Sequence, residues 1–403
     1  MQQEDKAALT ALRILDLADE KASFCAKLLA DMGAEVIKVE RPGGDKSRTV
    51  GPFWGNTPHP EKSLSFWYHN TSKLGITLNL ENEEGQQLFR RLAQRTDVVV
   101  ESFPPGYLDK LGLGYGSLSE LNPGLIMASV TGFGQSGPYR EYHSCDIVAS
   151  AMGGQMYVCG APDTPPLKPY GQQAYYLASL FAAIGILLAL RQRKLSGHGE
   201  HIDISLQEAV ASALEHVMVR YYYEGIVSRR QGSLHWNNSF CLLPCKDGHI
   251  LLSPLMQWET LVELLDNEGL AADLKEEKWR DGGYRRQHLD YIIQILKRWT
   301  ITHTTAELFE LGQLMRFPWA PVASPVEAAN SPQLNARNFF VPVAYPEANI
   351  SLTYPGAPYK FSRTPWKIQQ RAPLIGEHNT WVYAQELGFS QEELDWLSAR
   401  NVI

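Results

Sequence analysis

The stretch Leu12–Gly44, LRILDLADEKASFCAKLLADMGAEVIKVERPGG, decides the fold. Leu12 to Leu17 is a short apolar run. Phe24, Leu28, Leu29 and Met32 then recur at helical spacing, Gly33 ends the helix, and Glu35 to Glu40 reads as a second strand. A strand, a helix and a strand at this length predict two parallel strands joined by a right-handed crossover. A nicotinamide-binding domain would place G-x-G-x-x-G after the first strand, so that backbone could approach a pyrophosphate. The turn here is DLADEKAS (16–23), without a glycine, and a dinucleotide role is set aside.

The pattern continues outward. Glu84 to Arg95 is helical, DVVVESF (97–103) is a buried strand, and GLIMASVTGFG (124–134) is another. Residues 206–225 continue as helix. Residues 1–225 therefore read as an α/β domain, doubly wound and Rossmann-like. The texture changes after that. FCLLPCKDGHILLSP (240–254) predicts a hairpin turning at Asp247-Gly248, followed by short charged helices over 257–312. This gives a smaller α+β domain over 226–325. Residues 326–403 read as a return segment packing on the large domain. Within it, 354–379 is rich in Pro and Gly, has few helix signals and reads as extended.

Composition excludes several classes. Lys and Arg number 37 against 44 Asp and Glu, a net charge of −7, which argues against a nucleic-acid surface. Five cysteines include a CxxxC at Cys241 and Cys245, with no second pair or nearby His to complete a metal set. They are expected as reduced thiols. The N-terminal residues mix charges and carry no long apolar core, so no secretory signal is read there. The apolar run Tyr175–Leu190 covers 16 residues, short of the ~20 needed to cross a bilayer. A helix buried in a large domain, no membrane and a cytoplasmic location are expected.

That run sits in PPLKPYGQQAYYLASLFAAIGILLAL (165–190). Between Lys168 and Arg191 the chain carries no charge at all. Chemistry at the head of such a helix would call for one.

Eight segments, in this order and at these intervals, resemble the class III CoA-transferases, the family of formyl-CoA transferase and carnitine CoA-transferase. They are LLADMGAEVIKVERPGGD (28–45), NTSKLGITLNL (70–80), VVESFPPGYLDKLGLGY (99–115), SVTGFGQSGPY (129–139), CDIVASAMGG (145–154), IGILLALRQRKLSGHGEHIDISLQEA (184–209), APVASPVEAANSPQLNARNFF (320–340) and PLIGEHN (373–379). The resemblance implies two chains, each threaded through the other, and coenzyme A or its acyl thioesters as substrate, with no metal. It also implies an aspartate near the start of the apolar helix. That aspartate attacks an acyl-CoA to form a mixed anhydride and then an enzyme thioester. Counted from either flank, its place falls on Tyr175.

Two other departures accompany this one. The family's Gly-Pro before the first helix is replaced by EKASF (20–24). A glycine-rich loop expected after Arg230 and Gly232 is replaced by SLHWNNSF (233–240), which lacks the Gly run that lends N–H groups to an oxyanion. A phenol cannot carry CoA as a thioester on its own carbon, so Tyr175 is expected as a packed aromatic at a helix start. Asp146 and Glu208 are expected as structural carboxylates. The superfamily's racemases place a catalytic His where this chain has Cys145, and His143 is two residues off.

The resemblance places CoA-contacting positions at Arg41, Lys73, Phe103, Lys110 and His143. Cations there would pair with the 3′-phosphate and pyrophosphate, and Phe103 would line the nucleotide site. Tyr175, Tyr176 and Trp236 are the residues that would plug the pocket. In two-subunit members one copy can lose the nucleophile while the other keeps it. The expected role is therefore a supporting subunit in an interlocked heterodimer with a homologous catalytic chain. Two alternatives stay open: an active acyl-CoA isomerase or lyase of the same fold, and a CoA-binding regulatory protein.

Overall fold

The computed structural model describes residues 7–235 and 238–403. It divides into two compact units. One runs to Gln155 and includes Lys168–Ile226 and Ala336–Ile403. The other is Met156–Leu167 with Val227–Asn335.

The first unit is built on six parallel strands: β1 (Arg13–Asp16), β2 (Glu35–Glu40), β3 (Lys73–Thr77), β4 (Val98–Glu101), β5 (Ile126–Thr131) and β6 (His201–Ser205). Their order is β3-β2-β1-β4-β5-β6. The direction of winding thus reverses between β1 and β4. The central strands β4 (VVVE) and β5 (IMASVT) are nearly continuous apolar runs, buried throughout, because helices cover both faces.

The helices up to Glu224 are α1 (Ser23–Asp31), α2 (Leu64–His69), α3 (Glu83–Ala93), α4 (Tyr107–Lys110), α5 (Tyr115–Leu121), α6 (Asp146–Met152), α7 (Gln155–Val158), α8 (Gln173–Ser196), α9 (Leu206–Ser212) and α10 (Val217–Glu224), and all but Gln155 of α7 belongs to the second unit. Ile14, Val36, Val98 and Ile126 pack on α1 and α8. Their strand neighbours Leu15, Ile37, Val99 and Met127 point the other way, onto α3, α5 and the C-terminal residues Val382, Tyr383 and Leu394. This alternation is the period-2 geometry of a strand read on a sheet with two cores.

Local chemistry sets the helix limits. Asn82 caps α3 through Glu84 N, with Glu83 and Glu84 in its first turn and Arg90 and Arg91 in its last. Gly33 follows α1 at φ +98°, where a Cβ would lie 2.3 Å from that of Ala7.

The expected continuous helix over 206–225 is two helices, broken where Glu215 takes a left-handed conformation at φ +48°. α8 also departs from expectation. It runs for 24 residues and is, by length and composition, apolar enough to cross a membrane. One face, from Ala174 through Ala178, Ala182 and Ile186, is in the core. Leu180, Phe181, Ile184, Leu187 and Leu188 are exposed in this chain, so the helix is not buried all round.

The C-terminal segment is more regular than expected. Phe340–Tyr345 and Ile350–Pro355 form an antiparallel hairpin, β11–β12 of this chain, and Tyr345 stacks on Trp67 with centroids 4.1 Å apart. PLIGEHN then covers the free edge of β3. Gly75 N donates to His378 Nδ1 at 3.0 Å and Thr77 N to Asn379 Oδ1 at 2.8 Å. An exposed ladder edge is closed this way without another strand. A last helix, Gln391–Ala399, follows a Ser390/Glu393 capping box.

The second unit has four short strands, β7 (Leu234–His235), β8 (Phe240–Pro244), β9 (His249–Leu252) and β10 (Ala320–Pro321), in the order β10-β9-β8-β7. β8 and β9 form the expected hairpin around Asp247-Gly248. Trp258, Trp279, Trp299 and Trp319 anchor its core. Cys241 and Cys245 are free thiols. Trp236, expected near the pocket, lies outside the described residues.

Candidate functional site

A cavity of about 850 Å³ opens at the carboxyl ends of β1 to β4, around the point where the strand order reverses. Open α/β sheets place ligands there because the two crossovers diverge and leave a crevice. Its wall brings together Asp19, Lys21, Arg41, Lys46, Ser102 and Phe103, among others.

The β1–α1 turn forms one side and is held from below by buried charge. Asp16 Oδ1 accepts Ala18 N at 3.0 Å, and Asp16 Oδ2 lies 2.8 Å from Lys73 Nζ. Lys73 Nζ also donates to Asn70 Oδ1 at 2.9 Å and to Ser23 O at 3.0 Å. Lys38 Nζ donates to Ala18 O. Above this brace, Asp19 Oδ1 accepts Lys21 N at 3.0 Å and Ser102 Oγ at 2.8 Å, and Lys21 Nζ pairs with Asp19 and reaches Ser102 O at 3.2 Å. β1 and β4 are thus stitched together at the floor of the crevice.

The five expected CoA contacts separate. Arg41 and Phe103 stand in the cavity wall, Phe103 against the Tyr107 ring with centroids 4.7 Å apart. Lys73 is fully buried, and burial lowers its ammonium to about 8, against the pull of Asp16. Its three donors are taken, so it is corrected from a phosphate contact to a brace of the turn. Lys110, at the exposed end of α4, and His143, in the exposed loop before α6, lie outside the wall. Sequence reasoning missed Lys21 and Lys46. Both follow the ends of adjacent strands, β1 and β2, which is the signal that would have found them.

At the head of α8, Asp146 Oδ1 accepts Ala174 N at 2.9 Å and Tyr175 N at 3.3 Å, while Lys168 Nζ lies 2.7 Å from Asp146 Oδ2. Asp146 therefore occupies the positive end of the helix and offsets its unpaired N–H groups. Tyr175 is 6% exposed and packed in the core cluster with Ala18, Ala22 and Ala178. Burial raises its phenol well above the ordinary value, and the neighbouring Glu20 adds to this. The group is neutral at physiological pH. Beside it, Tyr176 Oη lies 3.1 Å from His69 Nε2, and its ring meets Phe24 edge-on with centroids 4.8 Å apart. Burial lowers His69 to about 4. Neither tyrosine forms part of the cavity wall.

Among the described residues, no group of three His, Cys, Asp or Glu side chains is placed to hold a metal ion. The arrangement provides a crevice lined by Lys21, Arg41 and Lys46, with Asp19, Glu40, Asp45 and Glu81 among them, and by the Phe103 and Tyr107 rings. It has no free carboxylate at the residue where α8 begins.

Fold and cavity define a doubly wound α/β protein with a cavity at the switch point of the sheet. The chain belongs to CoA-transferase family III, which matches residues 9–379. It is 36% identical over 392 residues, 95% of each chain, to the BbsE subunit of succinyl-CoA:(R)-benzylsuccinate CoA-transferase from Thauera aromatica. It is 33% identical over 402 residues, 98% of each chain, to the beta subunit of succinyl-CoA–L-malate CoA-transferase from Chloroflexus aurantiacus. A solved CAIB/BAIF family protein from Brucella suis matches with a TM-score of 0.84 at 30% identity, over 94% of this chain and 99% of that one.

Proposed function

We propose that this chain is the supporting subunit of a two-subunit CoA-transferase that moves CoA from succinyl-CoA to (R)-2-benzylsuccinate, a step of anaerobic toluene degradation. A homologous partner supplies the nucleophilic aspartate. One observation carries this reading: the residue at the head of α8 is a buried, neutral phenol, not a carboxylate. The likeness to two chains named as subunits supports it.

In the partner, a carboxylate oxygen attacks the thioester carbonyl and expels CoA thiolate, leaving a mixed anhydride. The thiolate then attacks the anhydride at the enzyme's own carbonyl, forming an enzyme thioester and releasing succinate. The acceptor carboxylate runs the same steps in reverse. This chain completes the interlocked fold and shapes the pocket, and the reading goes with a cytoplasmic enzyme. Its own switch-point cavity holds CoA, with Arg41, Lys46 and Lys21 toward the phosphates and Phe103 toward the base.

The test is purification with and without the homologous partner, followed by a succinyl-CoA plus benzylsuccinate assay. Acyl-CoA and hydroxylamine treatment with mass spectrometry then locates the modified carboxylate. The adduct is expected on the partner. Turnover by this chain alone would favour an isomerase, lyase or self-sufficient transferase. CoA binding with neither assembly with the homologous chain nor turnover beside it would favour a regulatory protein.

A further inference from the structure

Arg48 lies behind the loop that carries Arg41 and Lys46 to the cavity, and its side chain is 1% exposed. Its Nε lies 2.8 Å from Glu40 Oε1, and its Nη2 lies 2.7 Å from Glu40 Oε2, a bidentate pair. Nη2 also donates to Pro373 O at 2.9 Å, and Nη1 to Glu61 Oε2 at 2.7 Å. The guanidinium carbon stands 3.8 Å from the centroid of the Phe66 ring.

The two carboxylates pass this grip to backbone. Glu40 Oε1 accepts Asp45 N at 2.9 Å, and Glu61 Oε1 accepts Ile375 N at 2.8 Å. Gly44, at φ +94°, lies so close to this hub that a Cβ there would sit 2.9 Å from Ile375 Cδ1 and 3.0 Å from Arg48 Cδ. The turn closes on itself through Gly44 N to Arg41 O at 2.9 Å and Arg41 Nε to Gly44 O at 3.1 Å. The inner side of the loop is therefore fixed by one guanidinium, while Arg41 and Lys46 stay exposed on its outer side.

From this geometry we infer that Arg48 is a positioning residue for anion recognition. It holds the Arg41–Lys46 loop so that the two exposed cations meet the 3′-phosphate of CoA. The inference rests on the CoA reading of the switch-point cavity. Arg48 touches no ligand itself, because it is buried and already engaged. Its planar fork is what the arrangement uses, since a lysine offers a point charge that cannot hold both Glu40 oxygens while reaching Glu61 and Pro373. For packing alone, a buried charge is a poor choice, as apolar residues of similar volume serve as well or better.

The experiment titrates the full-length chain, in the assembly in which it purifies, with CoA and with 3′-dephospho-CoA. It compares the wild type, Arg48→Lys, the Arg41→Ala/Lys46→Ala pair, and all three changes together. Arg48→Lys is expected to weaken CoA about tenfold, since displacing a recognition group by an ångström is costly. It should weaken 3′-dephospho-CoA less, and add little to the Arg41→Ala/Lys46→Ala pair. If Arg48→Lys does not fold, Glu61→Gln, which withdraws only the Nη1 anchor, takes its place.

Equal loss for both ligands, full additivity with the loop pair, or wild-type CoA affinity in Arg48→Lys would each overturn the inference. Failure of the wild type to bind CoA would overturn the reading of the cavity, and this inference with it.

Discussion

Lys73 Nζ lies 2.8 Å from Asp16 Oδ2, and neither side chain has any exposed surface. A buried pair of this kind is weak as a source of net stability but severe when halved, because the remaining charge stays desolvated. Lys73→Met and Asp16→Ala are each expected to cost about 3–5 kcal/mol in urea unfolding. The double variant should cost less than their sum, because the two changes share one interaction. If Lys73→Met instead weakened CoA at unchanged stability, the brace assigned here would be wrong.

Tyr175 is packed in the core, and burial keeps its phenol neutral. Tyr175→Phe should keep the activity of the assembled enzyme within about twofold, because the hydroxyl removed has no hydrogen-bond partner among the described residues. Tyr175→Ala should lower stability by about 3–5 kcal/mol through the cavity it leaves. Steady-state rates of the two-subunit enzyme and thermal unfolding separate these effects. A tenfold fall in Tyr175→Phe would give the phenol a chemical role and sink the supporting-subunit reading.

Two buried groups on the first unit titrate in opposite senses. Burial lowers His69 to about 4, so between pH 4 and 6.5 the unfolded chain binds the extra proton. Its contribution is complete above pH 6.5 and is lost as pH falls toward 4. Burial raises Glu101 to about 7, against its bonds to Ser129 and Phe103 N, so between pH 4.5 and 7 the folded chain binds the extra proton. That contribution is complete below pH 4.5 and is lost as pH rises to 7. Each shift corresponds to about 3 kcal/mol, and in the wild type they largely cancel. Unfolding free energies measured from pH 4.5 to 7 should therefore rise with pH in Glu101→Gln and fall in His69→Phe. Identical slopes in the two variants would refute the assignment.

The parallel sheet was legible because Val98–Val100 and Ile126–Val130 are apolar runs that only a doubly covered sheet can use, and Gly33 marks where α1 stops. The uncharged head of α8 was legible because no Asp, Glu, Lys or Arg lies between Lys168 and Arg191. Lys73 was misread because sequence cannot tell a lysine facing solvent from one whose three donors meet Asp16, Asn70 and Ser23, residues 57, 3 and 50 positions away. Arg48 was passed over for the same reason: its partners Glu61 and Pro373 are distant in sequence. The helix Gln391–Ala399 was missed for a different reason. Ser390 and Glu393 announce it as a capping box, but Trp396 and the charged residues blur its apolar stripe.

The outward face of α8 bears most directly on the partner. Leu180, Phe181, Ile184, Leu187 and Leu188 form an exposed stripe on one helix, with Leu188 62% accessible. A stripe of this size is uncommon on a chain that works alone, and covering it removes apolar area from water at about 25 cal/mol per Å². Leu188→Glu replaces a side chain that makes little contact within its own chain, so unfolding of the isolated chain should shift by less than about 0.5 kcal/mol. Yet a charge forced into a dry interface should prevent co-purification with the homologous subunit. Size-exclusion chromatography of the co-expressed pair reads this out. Recovery of a stoichiometric complex carrying Leu188→Glu would place the partner on another surface.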